Sequence, residues 1–276
     1  MQHTEGWFRG RDNVRLYRQS WLPSRNPAAV LVIVHGLAEH SGRYLNLVNH
    51  FVPRDHAICA FDLRGHGKSE GLRGYVDRFS DYVEDLGRFF TLVCEEHRGL
   101  PVFLVGHSMG GLIAAVYAAG CDNGLTGLVL SAPVLKSGSS VSRLSMAVAQ
   151  TLSVLAPKLG VTVLDASTIC QDENVVNAYV NDPLVYRGKI RARLGAELIK
   201  AMAALSPSKL ADIELPILIM HGAVDHLVSP ESSSILYESV GSKDKTLKYY
   251  EGFCHEIFNE PGREQVLEDM ERWLRR

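Results

Sequence analysis

The sequence is poor in the features that mark extracellular, metal-binding and membrane-spanning proteins. Its five cysteines are odd in number and include no Cys-x-x-Cys pair, so they predict neither a disulfide framework nor a zinc site. The N-terminal stretch lacks the apolar core of a signal peptide. The most apolar window, residues 144–164, is interrupted by Gln150, Pro157 and Lys158. We therefore expect a cytoplasmic protein without a membrane span.

A bias toward one charge is missing, and so are the patterns that bind phosphate or metal. The formal net charge is only −2, so the composition gives no reason to expect a nucleic-acid partner. The chain has neither a glycine-rich phosphate loop nor a cluster of metal ligands, and we expect no cofactor and no metal. With 46% hydrophobic and 22% charged residues, the composition is that of an ordinary globular protein.

What the chain does contain is an alternation of buried strands and amphipathic helices. Continuous apolar runs at residues 30–36, 102–105 and 217–220 predict strands that are covered on both faces. Residues 80–97 have helical spacing, with Ser80 as the expected N-cap. This alternation predicts an α/β fold with a mostly parallel central sheet and helices on both faces.

The alternation stops between residues 134 and 210. We expect this segment to form an inserted helical cap, or lid, on a core made of residues 1–133 and 211–276. Ordinary helices of the core are the alternative interpretation. One helical face of the segment is apolar and could pack into the core or line a tunnel for an acyl chain. The residues of that face are Leu144, Val148, Leu152 and Leu155.

A single serine stands between two glycines where the strand at residues 102–105 ends. The order from Gly106 to Gly110 is Gly-His-Ser-Met-Gly, and residues 109–119 continue with helical spacing. A strand–turn–helix of this kind holds the serine at strained backbone angles, where side chains at the two glycine positions would collide. The motif therefore predicts Ser108 as a nucleophile, since a plain glycine-rich turn has no need of a strained residue.

A serine hydroxyl needs a base, and the base needs an acid that orients it. Asp225 follows the strand at residues 217–220 and His255 follows the last strand, so the chain order is Ser, Asp, His. The carboxyl ends of parallel strands meet at one edge of a sheet, and we expect the three side chains to converge there. His226 is the competing base, but it adjoins the acid and is expected to face away.

The negative charge that forms on an attacked ester carbonyl needs backbone N–H donors. The motif predicts one donor at Met109, directly after the nucleophile. The other is expected at Leu37, in the His-Gly-Leu loop that follows the strand at residues 30–36. Because these donors belong to the backbone, neither position requires a special side chain.

Six stretches together resemble the monoacylglycerol lipases of the α/β-hydrolase superfamily, namely HGLAEHSGRY, FDLRGHGKSEG, GHSMGG, NDPLVYRG, HGAVDHLVSP and KTLKYYEGFCHEIFNE. The resemblance implies an α/β-hydrolase fold with the same triad and oxyanion donors. It adds Glu39, Arg43 and Tyr179 at the glycerol end of the substrate. A surface salt bridge between Glu39 and Arg43 is the alternative. Leu37 stands where family members often have a smaller residue, which affects the shape of the polar end.

The expected function is hydrolysis of a monoacylglycerol to a fatty acid and glycerol, through an acyl-enzyme on Ser108. The partner is thus a small lipid ester, and the cap could also contact membrane surfaces transiently. A broader carboxylesterase or lysophospholipase is the nearest alternative. A non-catalytic protein that senses a ligand in a hydrolase pocket is a more distant one.

Overall fold

The middle strands of the central sheet are the apolar runs that the sequence marks as strands. The computed structural model describes residues 1–120, 124–135 and 150–275. The strands of the sheet are β1 (Gln2–Arg9), β2 (Arg15–Leu22), β3 (Ala29–Val34), β4 (His56–Phe61), β5 (Val102–His107), β6 (Gly127–Ser131) and, after two short strands given below, β9 (Ile217–Gly222) and β10 (Lys245–Tyr250).

The strand order places the loops of interest at one edge. It is β1-β2-β4-β3-β5-β6-β9-β10, and β2 runs antiparallel to both of its neighbours. The pairs from β4 to β10 are all parallel. Because β3, β5, β9 and β10 run in the same direction, the loops after their carboxyl ends lie along one edge, where α/β proteins bind ligands.

Helices cover both faces of the sheet. They are α1 (Leu45–Phe51), α2 (Phe79–Glu96), α3 (Met109–Ala118), α4 (Glu173–Asn181), α5 (Ala192–Ala204), α6 (Pro207–Leu210), α7 (Glu231–Ser239) and α8 (Glu264–Leu274). Buried residues of α2, α3, α5 and α7 pack into one hydrophobic cluster, and those of α1 and α8 pack into a second. The strands β3, β4, β5, β6 and β9 are buried along their whole length, as strands covered on both faces must be.

The start of α2 differs from the expectation that Ser80 caps it. The helix begins at Phe79, and the capping position is Arg78. The backbone N–H of Phe79 donates to Oε2 of Glu197 on α5 at 3.0 Å. The free N–H groups at this helix end are therefore partly satisfied by a carboxylate 118 positions away, which makes a local serine cap unnecessary.

The segment between β6 and β9 adds no strand to the central sheet within the described residues. Residues 150–155 are helical, and the segment also contains α4, α5 and α6. A purely helical insertion is not what forms, however, because β7 (Gly160–Thr162) pairs antiparallel with β8 (Ile190–Arg191). No helix in the described ranges combines the length and apolarity needed to cross a bilayer.

Candidate active site

The serine lies at a sharp corner between β5 and α3. Ser108 has φ 53° and ψ −118°, a conformation that costs a non-glycine residue on the order of 1–3 kcal/mol. A Cβ on Gly110 would lie 2.1 Å from the carbonyl oxygen of Val34, and one on Gly106 would lie 2.6 Å from the carbonyl oxygen of Gly110. The strain and the crowding that the motif predicts are both present, and they raise the serine at the end of the central strand.

The acid and the base of the predicted triad are hydrogen-bonded to each other. Nδ1 of His255 donates to Oδ2 of Asp225 at 2.6 Å, and both side chains are buried. The other carboxylate oxygen, Oδ1, accepts from the backbone N–H groups of Leu227 and Val228 at 2.8 and 2.9 Å. Since Nδ1 carries the hydrogen, Nε2 of His255 holds the free lone pair that a general base needs.

A second histidine, which the sequence analysis missed, also binds the acid. Nε2 of His221 lies 3.1 Å from Oδ2 of Asp225 and 3.1 Å from the carbonyl oxygen of Val228, so this nitrogen is the donor. Its Nδ1 then accepts from the Ser233 hydroxyl at 2.7 Å. Burial alone would raise the pKa of Asp225, but the hydrogen bonds from His221 and His255 hold that pKa well below its ordinary value.

Ser108 and His255 line one cavity of about 500 Å³ at the carboxyl edge of the sheet. Leu37 and Met109, the expected oxyanion donors, lie in the same wall. Among the hydrogen bonds of the described residues, none joins the Ser108 hydroxyl to His255. Such catalytic bonds are often long until a substrate is present. The structure therefore brings acid and base into contact and places the serine in the same cavity.

The loop that carries Leu37 is held by buried polar groups. His35 accepts a backbone N–H at Nε2 (2.9 Å) and donates from Nδ1 to the Gly36 carbonyl oxygen at 2.8 Å. Burial lowers the pKa of His35 to about 3, so this imidazole is neutral. Farther along, Oδ1 of Asp62 accepts from the backbone N–H of Ser41 at 2.8 Å. These contacts fix the loop in which the expected donor lies.

The polar end of the cavity contains two carboxylates with a guanidinium behind them. Glu39 and Glu256 are in the cavity wall. Nη2 of Arg43 donates to Oε2 of Glu256 at 2.6 Å, and its Nε lies 3.6 Å from Oε2 of Glu39. The three side chains are at most 8% exposed, so the contact between Glu39 and Arg43 is buried and the alternative of a surface salt bridge is wrong. Glu256, directly after the base, is a partner that the sequence analysis missed.

Glu39 is held close to neutral by its surroundings. Burial and the nearby Glu256 raise the pKa of Glu39 to about 7, against the opposing effect of Arg43. Its Oε1 accepts from the hydroxyl of Tyr44 at 2.8 Å and from the backbone N–H of Gly36 at 2.5 Å. The side chain that the resemblance assigns to the glycerol end is therefore rigidly placed.

Tyr179, on α4, joins the same cluster. It lies in the cavity wall, and the Arg43 guanidinium is 4.6 Å from the centre of its ring. Its hydroxyl is buried and has no hydrogen-bond partner among the residues that the structure describes. A buried hydroxyl of this kind is available to a polar group of a bound molecule.

The rest of the cavity wall is mainly apolar. Its apolar members include Val134, Leu164, Ile169, Leu198, Met202 and Leu227. Of the apolar face expected at residues 144–155, the two described members do not line this wall: Leu155 is 78% exposed and Leu152 is half-buried elsewhere. Leu144 and Val148 lie outside the described residues. The segment between β6 and β9 does contribute apolar side chains to the wall, among them Leu164, Ile169, Leu198 and Met202.

Neither metal chemistry nor a reactive thiol is indicated at the cavity. Within the ranges that the structure describes, no three His, Cys, Asp or Glu side chains are grouped as metal ligands would be. Cys254, next to the base, is buried, and burial raises the pKa of its thiol to about 11. A protonated, buried thiol is a poor nucleophile, so Cys254 does not compete with Ser108 for that role.

Known proteins resemble this chain along most of its length. A family model described as serine aminopeptidase S33 matches residues 25–262. The monoacylglycerol lipase of Mycolicibacterium smegmatis is 37% identical over 271 residues, which cover 98% of this chain and 96% of that one. Phospholipase YtpA of Bacillus subtilis is 34% identical, covering 90% and 95%. The crystal structure of Paleococcus ferrophilus monoacylglycerol lipase superposes with a TM-score of 0.82 at 33% identity, covering 94% and 98%.

Proposed function

Because this chain belongs to the monoacylglycerol lipase family of the α/β-hydrolases, we propose that it is a serine hydrolase that cleaves monoacylglycerols to a fatty acid and glycerol. The observation that supports the chemistry most directly is the 2.6 Å hydrogen bond between His255 and Asp225, beside a cavity that Ser108 also lines. A strained serine with an oriented imidazole is the arrangement that nucleophilic acyl transfer requires.

In the proposed reaction Ser108 is the nucleophile. Nε2 of His255 takes the hydroxyl proton as Oγ attacks the ester carbonyl, and Asp225 stabilises the imidazolium that forms. The imidazolium then protonates the glycerol oxygen, the ester C–O bond breaks, and the fatty acyl group remains on the serine. Water, deprotonated by the same nitrogen, attacks the acyl-enzyme and releases the fatty acid.

Two backbone groups are proposed to bind the oxyanion. The N–H of Met109 begins α3, so the positive end of the helix dipole is directed at the developing charge. The N–H of Leu37 belongs to the loop that His35 and Asp62 fix. Loss of one such donor typically raises the barrier by about 3–4 kcal/mol.

The glycerol end is proposed to bind beside Glu39 and Tyr179. The Tyr179 hydroxyl, which has no hydrogen-bond partner among the described residues, and the Glu39 carboxyl both lie in the cavity wall and match a substrate with two free hydroxyl groups. Arg43 is assigned a positioning role, because it lies behind the carboxylates and is ion-paired to them. This differs from direct contact with the substrate, which the resemblance implies.

Residues 134–210 are proposed to act as a cap on the core and to bring the enzyme to its substrate. The stretch at residues 154–163 exposes several large apolar side chains, with the exposed Lys158 among them. They are Val154, Leu155, Leu159, Val161 and Val163. Apolar side chains around a cation suit the surface of an anionic membrane, from which a monoacylglycerol would enter.

The membrane contact is tested by sedimentation with vesicles of phosphatidylcholine and phosphatidylglycerol. Leu155→Asp is expected to reduce the bound fraction because it removes an apolar contact and adds a repelled charge. Leu45→Asp is the matched control, since Leu45 is exposed on α1 in the core. Equal binding of both variants and the wild type would refute the contact.

The reaction is tested by substitution of the nucleophile. Ser108→Ala is expected to abolish monoacylglycerol turnover and labelling by a fluorophosphonate probe, because no other oxygen is activated by His255. Ser24→Ala, at an exposed position, is the control and should retain both. Residual labelling of the Ser108 variant would contradict the assignment.

Substrate class is tested with the wild-type protein. Monoacylglycerols from C8 to C18 are compared with the matching di- and triacylglycerols and with simple esters of the same acids. Monoacylglycerols are expected to be preferred over the larger glycerides because the cavity is only about 500 Å³. Similar turnover of simple esters and monoacylglycerols would favour a broad carboxylesterase.

A further inference from the structure

The charged groups at the polar end indicate which head groups the cavity admits. We infer that Glu256 makes the site select uncharged glycerol esters and reject esters whose head group carries a phosphate. This inference rests on the proposed function, because it requires the glycerol end of the substrate to lie beside Glu39 and Glu256.

Glu256 is held in the cavity wall by contacts on one of its two carboxylate oxygens. Nη2 of Arg43 donates to Oε2 at 2.6 Å, and Nδ2 of Asn259 donates to the same oxygen at 2.8 Å. Both bonds fall on Oε2, which leaves Oε1 to accept from a substrate hydroxyl. The side chain is fixed in position and only 6% exposed.

The described part of the cavity wall presents two carboxyl groups and no cationic side chain. Among the described residues that line it, the acidic side chains are Glu39 and Glu256, and there is no lysine or arginine. A glycerol hydroxyl donates hydrogen bonds and fits such a wall. A phosphate offers only acceptor oxygens and negative charge, which a carboxylate in a poorly solvated site repels strongly.

Arg43 is the nearby cation that could bind a phosphate, but it is already ion-paired with Glu256. The 2.6 Å bond from Arg43 to Glu256 is much shorter than the 3.6 Å approach to Glu39, so Glu256 is its closest carboxylate. Guanidinium groups are the preferred partners of phosphate in proteins. Neutralising Glu256 would remove a charge that repels phosphate. It would also leave the Arg43 guanidinium without its closest anionic partner.

The decisive variant is Glu256→Gln, which keeps the shape and an acceptor oxygen for Arg43 and Asn259. Glu264→Gln, at an exposed position of α8, is the matched control with the same change in net charge. Each protein is assayed on 1-octanoyl glycerol and on 1-octanoyl glycerol 3-phosphate, below the concentrations at which either aggregates.

In Glu256→Gln we expect the ratio of kcat/KM for the neutral ester to kcat/KM for the phosphate ester to fall at least tenfold, or about 1.4 kcal/mol. In Glu264→Gln the ratio should equal that of the wild type. A ratio within twofold of the wild type in Glu256→Gln overturns the inference, as does a wild type that prefers the phosphate ester. A wild type that hydrolyses no monoacylglycerol refutes the proposed function, and the inference falls with it.

A second measurement needs only the wild-type protein, so it tests the inference even if Glu256→Gln does not fold. Octanoyl glycerol 3-phosphate is added to the monoacylglycerol assay as a competitor at the substrate concentration. We expect no inhibition, because the head group is excluded from the cavity. Inhibition as strong as that by a non-hydrolysable neutral ether of the same chain length overturns the inference.

Discussion

Replacing His221 with leucine tests how the acid of the triad is held. His221 lies at the end of β9 and donates from Nε2 to Oδ2 of Asp225, the same oxygen that accepts from His255. Leucine fills a similar space but cannot donate. We therefore expect His221→Leu to raise the pKa of Asp225 and to loosen the carboxylate that orients the imidazole.

The magnitude follows from the hydrogen bonds to the carboxylate. Asp225 accepts from two backbone N–H groups and two imidazoles, and the bond from His221 is the longest of these at 3.1 Å. A hydrogen bond to a charged group contributes about 1.5–3 kcal/mol. Near the lower end of that range, the variant should lose about 1.5 kcal/mol of stability, and a similar loss in the transition state would lower kcat/KM about tenfold.

The assay combines urea unfolding, ester hydrolysis and acid unfolding. The depressed pKa of Asp225 stabilises the folded state above the unfolded pKa of about 4, and this contribution is lost as pH falls through the folded pKa. His221→Leu should therefore unfold at a higher pH than the wild type. His221→Gln retains an N–H donor and should therefore be much more active than His221→Leu. Ser233→Ala leaves the His221 donor in place and should retain most of the wild-type activity. A leucine variant as active and as acid-stable as the wild type, or a glutamine variant no better than leucine, would refute the reasoning.

The remaining predictions concern the packing behind the base and the titration of the polar end. A Cβ on Gly222 would lie 2.0 Å from the carbonyl oxygen of Cys254. Gly222→Ala should therefore displace the loop that carries His255 and lower the free energy of unfolding in urea by about 1–3 kcal/mol. Gly195→Ala is the control and should not destabilise the protein, because nothing lies within 4 Å of its Cβ. The pKa of Glu39 is raised from 4.5 to about 7 by burial and Glu256, so the folded state binds the extra proton and stability should fall between pH 4.5 and 7, by up to about 3 kcal/mol. Glu39→Gln should flatten that part of the stability profile in urea titrations, and an unchanged slope would contradict the assignment.

The elements that sequence reasoning identified correctly are those with a local signal. The apolar runs predicted at residues 30–36, 102–105 and 217–220 correspond to β3, β5 and β9, which end at residues 34, 107 and 222. The corner at Ser108 has the strain that its flanking glycines imply. Chain order and strand ends were sufficient to bring Asp225 and His255 together. Each of these inferences depends on a pattern within about ten residues, or on the rule that parallel strands end at one edge.

The features that the sequence did not reveal depend on contacts between distant positions. The carboxylate of Glu197 satisfies the start of α2 from 118 positions away. Arg43 and Glu256 are 213 positions apart, and nothing in either local pattern indicates the pair. His221 could have been noticed, because it ends a buried strand four residues before the acid, where a polar side chain needs a partner.

The loop after β10 carries both the proposed base and a carboxylate of the polar end. His255 and Glu256 are consecutive, so a single stretch of backbone sets the imidazole on Asp225 and the carboxylate on Arg43. A backbone shift that improved one contact would disturb the other. The position of the base and the charge at the head-group end are therefore fixed by the same few dihedral angles.

This loop is also anchored to the segment between β6 and β9, the proposed cap. The backbone N–H of Glu256 donates to the carbonyl oxygen of Ile169 at 2.8 Å. The fully buried carboxylate of Glu260 accepts from the N–H of Cys254 at 2.9 Å and from the N–H of Gln171 at 3.2 Å. Because buried carboxylates without their donors are costly, the cap segment around residues 169–171 and the loop of the base should move together. A displacement of that segment would therefore alter the imidazole and the head-group carboxylate in one step.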